Sequence, residues 1–294
     1  MPLPTFTAAT TAGEVADVFA KEIREKNVLI TDTSIGRFGF EAARVLAKYA
    51  NLVIITGYNS ERTSQPQIYD NSFLDLSSLG TVRKAAAEVN ASLEPLHVLI
   101  NNAAATTVKV TKLTLTEDNL ETQPNSSRLA LVYTPRVVIV ASVAHTLGTG
   151  IELSTVAHGI QINTRLLTDT FKPNAQIFSS PSNYRNEPRV HSMQSPSWNA
   201  SNPVLLAILT NVNADEDSRK ELVALSLLTP DQRPHPDWPW KTIPEGAATT
   251  ITATFDTGLE AVAIDMIAPH ASNLETSAKL WAITEGIIGE KFTL

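Results

Sequence analysis

The sequence predicts an α/β fold, a doubly wound, three-layer parallel sheet. Three observations carry this: short apolar β-branched runs alternate with amphipathic stretches, a glycine-bearing turn follows the first run, and the composition suits one ordinary domain. Of 294 residues, 43% are hydrophobic and 18% charged, enough apolar surface for a sizeable core. One domain is expected over 1–294, with 1–25 as an N-terminal helical extension.

The elements follow in order. Residues 15–26 carry Val15, Val18, Phe19 and Ile23 at helical spacing, and 27–31 form the first apolar run. Helical spacing returns over 40–49 (Ala43, Val45, Leu46), and 51–56, NLVIIT, reads as a strand buried on both faces. A third unit comprises LDLSS at 74–78, a helix over 79–90 and a strand at 97–100; RVVIV at 136–140 adds another strand. Parallel strands joined by helices need right-handed crossovers, which place helices on both faces. Residues 160–202 are rich in Pro, Asn and Ser and read as loop. That length is itself anomalous, because structureless stretches beyond about 15 residues are uncommon in compact domains. Helices are expected again over 246–255 and 276–288.

Composition excludes several functions. The net charge is -7 with scattered cations, so nothing supplies a basic stripe for nucleic acid. No cysteine is present, which removes disulfides, thiolate metal sites and a cysteine nucleophile together. No apolar run approaches the roughly 20 residues that span a bilayer, and residues 1–14 lack the pattern of a secretory leader. A cytoplasmic protein without membrane, nucleic-acid or metal partners is expected.

Residues 31–39, TDTSIGRFG, join the first strand to its helix, the place where a dinucleotide fold lays a pyrophosphate on a helix N-terminus. Glycine is needed there because side chains block the approach of backbone to phosphate and some positions require positive φ. The stretch resembles the TGxxxGxG turn of the short-chain dehydrogenase/reductase family. Gly36 and Gly39 match, and Asp32 stands where the first glycine belongs, adding bulk and negative charge beside the phosphate. Asp75 resembles the family's adenine-contacting acid, and Asn101, Asn102, Ala103 and Ala104 resemble its NNAG segment. Taken singly, Asp75 is a helix N-terminal acid and the asparagines a turn; their order together favours the family.

The resemblance implies a Rossmann-type sheet with cofactor contacts from Thr31, Ser34, Ile35, Gly36, Gly39, Asp75, Asn101 and Ala103. After the second strand, GYNSER offers no acid for the ribose hydroxyls and places Arg62 nearby, which leans to NADP over NAD; a solvated helix-start cation is the other reading of Arg62. Ser142 matches the family's catalytic serine. Its stretch with His145, together with Trp240, Lys241, Thr242, GAAT at 246–249 and the closing AKLWAITEGIIG, is similar to retinol-dehydrogenase-like and WW-domain-oxidoreductase-like members. His145 itself reads as a surface turn residue.

The family moves its proton through a tyrosine four residues before a lysine, which puts both on one helix face and lets the ammonium lower the phenol pKa. No YxxxK occurs here: Tyr184 is followed four places on by Pro188, and Tyr133 by Val137. The asparagine-bearing helix before the serine strand is absent too, with only 124–134 in its place. Codons rebuilt from the third base of each residue and the first two of the next, from Asp169 through Glu187, permit YFQTKCSNILFAIELSKR, a YxxxK helix of family type. Shifted readings of 194–198, 124–129 and 65–73 permit SLHPG, KLIAP and ASNIRQLI, each in family order.

The resemblance therefore implies an NADP-dependent oxidoreductase acting on a carbonyl or alcohol of a small organic substrate, impaired in the chain as written. A non-catalytic nucleotide-binding pseudoenzyme and a frame-shifted product without selected function are the alternatives. Self-association into a homo-oligomer stays open.

Overall fold

The computed structural model describes residues 6–57, 69–92, 94–103, 116–118, 136–140, 190–192, 228–233, 241–256, 269–271 and 273–291, with isolated positions at 153, 219–220, 223–224 and 235–236. The chain begins with α1 (Ala12–Val18) and α2 (Ala20–Ile23), then β1 (Asn27–Ile30), α3 (Phe38–Leu46), β2 (Leu52–Gly57) and β3 (Tyr69–Phe73). Next come α4 (Leu79–Ala91), β4 (Val98–Asn101), β5 (Arg136–Ile139), β6 (Val190–Ser192), α5 (Ile243–Phe255) and α6 (Leu274–Ile288). Every described strand pair is parallel, and the order is β3-β2-β1-β4-β5-β6. That order is Rossmann-type and reverses direction between β1 and β4, the switch point where such sheets open a crevice at their carboxyl edge.

Strand side chains alternate between faces, and the alternation sorts the core into two parts. Val28 and Ile30 of β1, with Val53, Ile55, Val98, Ile100 and Val138, pack against α1, α3 and α5. Leu29 points the other way and meets Leu96, Leu99 and Val89 of α4. Helices thus cover both faces, as three layers require. Ile30, Leu46, Ile100 and Ile251 are fully buried, each such side chain stabilising the fold by about 1.5–3 kcal/mol.

The N-terminal helices belong to this core: Val15, Phe19 and Ile23 share it with Ala247, Ile251 and Phe255 of α5. The expected single helix over 15–26 is corrected in two ways. It starts earlier, at Ala12, because Thr11 and Glu14 form a reciprocal capping box. It also divides at Phe19 and ends before Arg24, whose neighbour Glu25 adopts φ 63.

Two further differences concern strands. LDLSS is a turn, and the strand of that unit precedes it as Tyr69–Phe73, paired from Val53↔Tyr69 to Gly57↔Phe73. YDNSF has a weak strand signature; its backbone ladder to β2, rather than side-chain pattern, holds it at the edge. Within 160–202, read as loop, the structure places β6, paired Val137↔Val190 to Ile139↔Ser192. The expected helix over 246–255 gains a turn at its start, where Thr242 and Glu245 form a second capping box. Among the described residues no helix is long and apolar enough to cross a membrane.

At the amino edge of the sheet polar side chains bond one another. The Asn27 N–H donates to His97 Nδ1 at 3.0 Å, and Asn27 Nδ2 donates to Glu94 Oε2 and Pro95 O, both at 3.0 Å. Asn51 Nδ2 donates to Asn27 Oδ1 at 2.8 Å and to Glu94 Oε2 at 2.9 Å.

Candidate functional site

The carboxyl edge of the sheet is built around Thr31, the first residue beyond β1. Its N–H donates to Ile100 O at 3.0 Å, extending the β1–β4 ladder, while its buried Oγ1 accepts the N–H groups of Asn102 and Ala103 at 3.0 Å each. Asn102 returns the bond: its Nδ2 donates to Thr31 O at 3.0 Å and Asp32 O at 2.9 Å. Thr33 ties the same turn to β2, donating its N–H and Oγ1 to Thr56 O at 3.1 and 3.2 Å. The turn is therefore braced to the strands on both sides.

Two glycines fit this frame for different reasons. Gly36 has φ 78, and among the described residues nothing lies within 4 Å of where a Cβ would project. Gly39 lies in the first turn of α3, and a Cβ on it would run into Asn102 Nδ2 and Asp32 O; the helix approaches the strands this closely only with glycine. Asp32 also takes a left-handed conformation, φ 52, and its Oδ1 accepts Ser34 Oγ at 2.9 Å. The intervening Ile35 is 48% exposed, a large apolar side chain left in solvent beside the turn.

The start of α3 differs from the starts of its neighbours. Thr11, Ser78, Thr242 and Asn273 cap α1, α4, α5 and α6 with side-chain oxygens, whereas Arg37 gives α3 no side-chain cap. First-turn N–H groups of a helix have no acceptor within it, and the macrodipole adds about half a positive charge. An uncapped N-terminus behind a glycine turn can hold an anion.

The other sequence-predicted residues fall along the same edge. Asn101 ends β4, is buried, and its Oδ1 has no hydrogen-bond partner among the described residues. Ala103 follows, locked by Thr31. Asp75 lies just past β3, where its Oδ1 accepts Ser77 N–H and Oγ at 2.8 and 2.6 Å; that carboxylate opens the turn into α4. Ser142, Arg62, His145, Trp240 and the segment 160–189 lie outside the described residues. Asn102 is the residue whose importance the pattern understated: paired asparagines after a strand were visible, but not that the second one clamps the glycine turn.

Helix α5 also enters from this edge. A Cβ on Gly246, in its first turn, would strike the ring of Phe38, which opens α3, and its C-cap Asp256 receives Arg136 Nη2 at 3.1 Å at the opposite edge. Half-buried Lys241, just before this helix, has its ammonium pushed down to about 8 by burial, partly offset by Glu245. Among the described residues no group of three metal-ligating side chains occurs.

No protein-family model matches the chain. It is 32% identical over 127 residues to oxidoreductase fscI of Fusarium equiseti, a match covering 40% of this chain and 48% of that protein. It is 26% identical to the human WW domain-containing oxidoreductase over 97% of this chain and 73% of that protein. Both of these relatives are named as oxidoreductases, and the chain is similar to them in sequence. It matches about half the length of the Fusarium relative. Among solved structures, the ligand-free aldohexose dehydrogenase of Thermoplasma acidophilum aligns over 84% of this chain and 97% of its own, at 15% identity and a TM-score of 0.42.

Proposed function

We propose that this chain is a short-chain dehydrogenase/reductase that binds NADP in preference to NAD and was built to act on a carbonyl or alcohol of a small organic substrate, with the chemical step impaired in the chain as it stands. One observation carries the binding half of this reading: α3 alone among the longer described helices starts uncapped, directly behind Gly36 at φ 78 and at the β1–β4 switch point. The residues fit a dinucleotide in their backbone. Thr31, Ser34, Ile35, Gly36 and Gly39 would border the pyrophosphate, Asn101 and Ala103 the nucleoside, and Asp75 the adenine. Such a cofactor, when bound, supplies or accepts a hydride.

Ser142 would hydrogen-bond the reacting oxygen of the substrate. The proton that accompanies hydride transfer has no donor, since no YxxxK pair exists in the sequence, and positioned general acids typically contribute 10²–10⁴-fold. An unassisted serine hydroxyl is a poor acid at neutral pH. Calorimetric titration with NADPH and NADH tests the binding half: tighter NADPH binding supports it, and absence of heat with both overturns it. Turnover of aldehydes or ketones on the order of 1–10³ s⁻¹ would overturn the impairment.

A second reading, a non-catalytic nucleotide-binding protein, is favoured by the same missing pair and predicts cofactor binding without turnover. The permitted YxxxK reading across Asp169 to Asn174 separates the two. Genomic DNA with TAC at the first junction and AAA at the second places the catalytic codons there out of frame; other bases end that idea.

A further inference from the structure

We propose that Asp32 sets the affinity of the phosphate-facing turn by placing the chain's own carboxylate where a bound anion would lie. The proposal rests on the dinucleotide reading above. Asp32 sits just past the carboxyl end of β1 in a left-handed backbone conformation, φ 52, that glycine adopts freely and that aspartate and asparagine tolerate better than other side chains. The conformation is imposed from outside: Asn102 Nδ2 holds the Asp32 carbonyl at 2.9 Å, and Thr33 anchors the next residue to Thr56.

The side chain is held as firmly. Ser34 Oγ donates to Asp32 Oδ1 at 2.9 Å, which keeps the carboxylate within the turn that leads to α3. The N-terminus of α3 carries no side-chain cap, so its partial positive charge faces the same turn. An internal carboxylate there offsets that field and repels an incoming pyrophosphate. Part of the ligand without phosphate, the nucleoside, is untouched by this repulsion. Asp32 thus lowers affinity for the phosphate portion alone, and Ser34 is its positioning residue.

The test is calorimetric titration of the full chain, Asp32→Asn and Asp32→Gly with NADPH and, separately, with adenosine, each at low and moderate salt. Asn tolerates left-handed backbone and matches Asp in size, so it isolates charge; Gly removes charge, bulk and strain together. The expected result is NADPH binding about 10-fold tighter in Asp32→Asn, the scale of one charge near an anion in a partly screened site, and tighter again in Asp32→Gly. Adenosine affinity stays within about twofold throughout, and the NADPH difference shrinks with salt, as charge repulsion must. Equal NADPH affinity in all three proteins, or an equal gain for adenosine, overturns the role of Asp32 and leaves the dinucleotide reading standing. Absence of NADPH binding in all three overturns both.

Discussion

At the amino edge of the sheet, Asn27, Asn51, Glu94 and His97 direct their polar atoms at one another. At the carboxyl edge, α3 begins without a cap and Asn101 ends β4 with a buried oxygen that has no partner among the described residues. The same strands run between the two edges, so the contrast lies in how their ends are bonded among the described residues. A buried polar group left without a partner costs about 1–3 kcal/mol, and a folded chain keeps such positions where a ligand or chemistry compensates. The amino edge is bonded to itself; the carboxyl edge is where the proposed dinucleotide would be accommodated.

The largest effect that would break this contrast is expected from Gly39→Ala. The new methyl meets Asn102 and the Asp32 carbonyl, and since one of these is backbone the whole β1–α3–β4 junction must give. Chemical denaturation should show a loss of about 3 kcal/mol with NADPH binding lost in parallel. Stability unchanged within error would mean the junction is loose. Next comes Thr31→Val, nearly isosteric, which takes the acceptor from the N–H groups of Asn102 and Ala103. A cost of about 2 kcal/mol is expected, and Thr31→Ser, which keeps the hydroxyl, should recover most of it.

The amino edge offers a pH test. Its His97 Nδ1 accepts the Asn27 N–H, so the ring must be neutral at that nitrogen. Burial, and to a lesser degree Lys26, lowers its pKa below the ordinary 6.5, with Glu94 opposing. A group with a depressed folded-state pKa contributes its full stability above its unfolded value and loses it as pH falls through the folded one. Melting temperature should therefore drop on acidification below about pH 6.5, by an amount bounded by one hydrogen bond, about 1 kcal/mol. In His97→Asn, which offers an oxygen in place of Nδ1, that part of the acid slope should vanish; an unchanged slope would assign it elsewhere.

Helix starts give the smallest effects. Thr242→Ala should cost about 1 kcal/mol by removing the α5 cap, while Arg37→Ser should add about 0.5 kcal/mol by giving α3 the cap it lacks. Thermal melts of both read the sign directly. A loss from Arg37→Ser would show that the α3 N-terminus is already satisfied.

The sequence made the carboxyl edge legible and the amino edge nearly invisible. Glycine spacing after an apolar run points to one conformation and one use, and Gly36 and Gly39 stand at the strand–helix turn as their spacing predicts. Asn27, Asn51, Glu94 and His97 have no shared spacing, because residues brought together by strand register need none. Edge strands were hardest: YDNSF and VHS lack the apolar pattern of buried strands, and only pairing with β2 and β5 defines them. The early start of α1 was readable from Thr11 and Glu14, a capping pattern that apolar periodicity passes over.

The packing of α1 on α5 has a consequence for how the protein comes into being. Val15 and Phe19 are synthesised more than 200 residues before the surface that buries them, Ile251 and Phe255. Until then the apolar faces of α1 and α3 remain in water, and closing the seam requires a long loop, whose entropic cost makes non-local contacts slow to form. This layer therefore cannot close until α5 has emerged, and a nascent chain stalled before residue 243 would present an open core to chaperones and proteases.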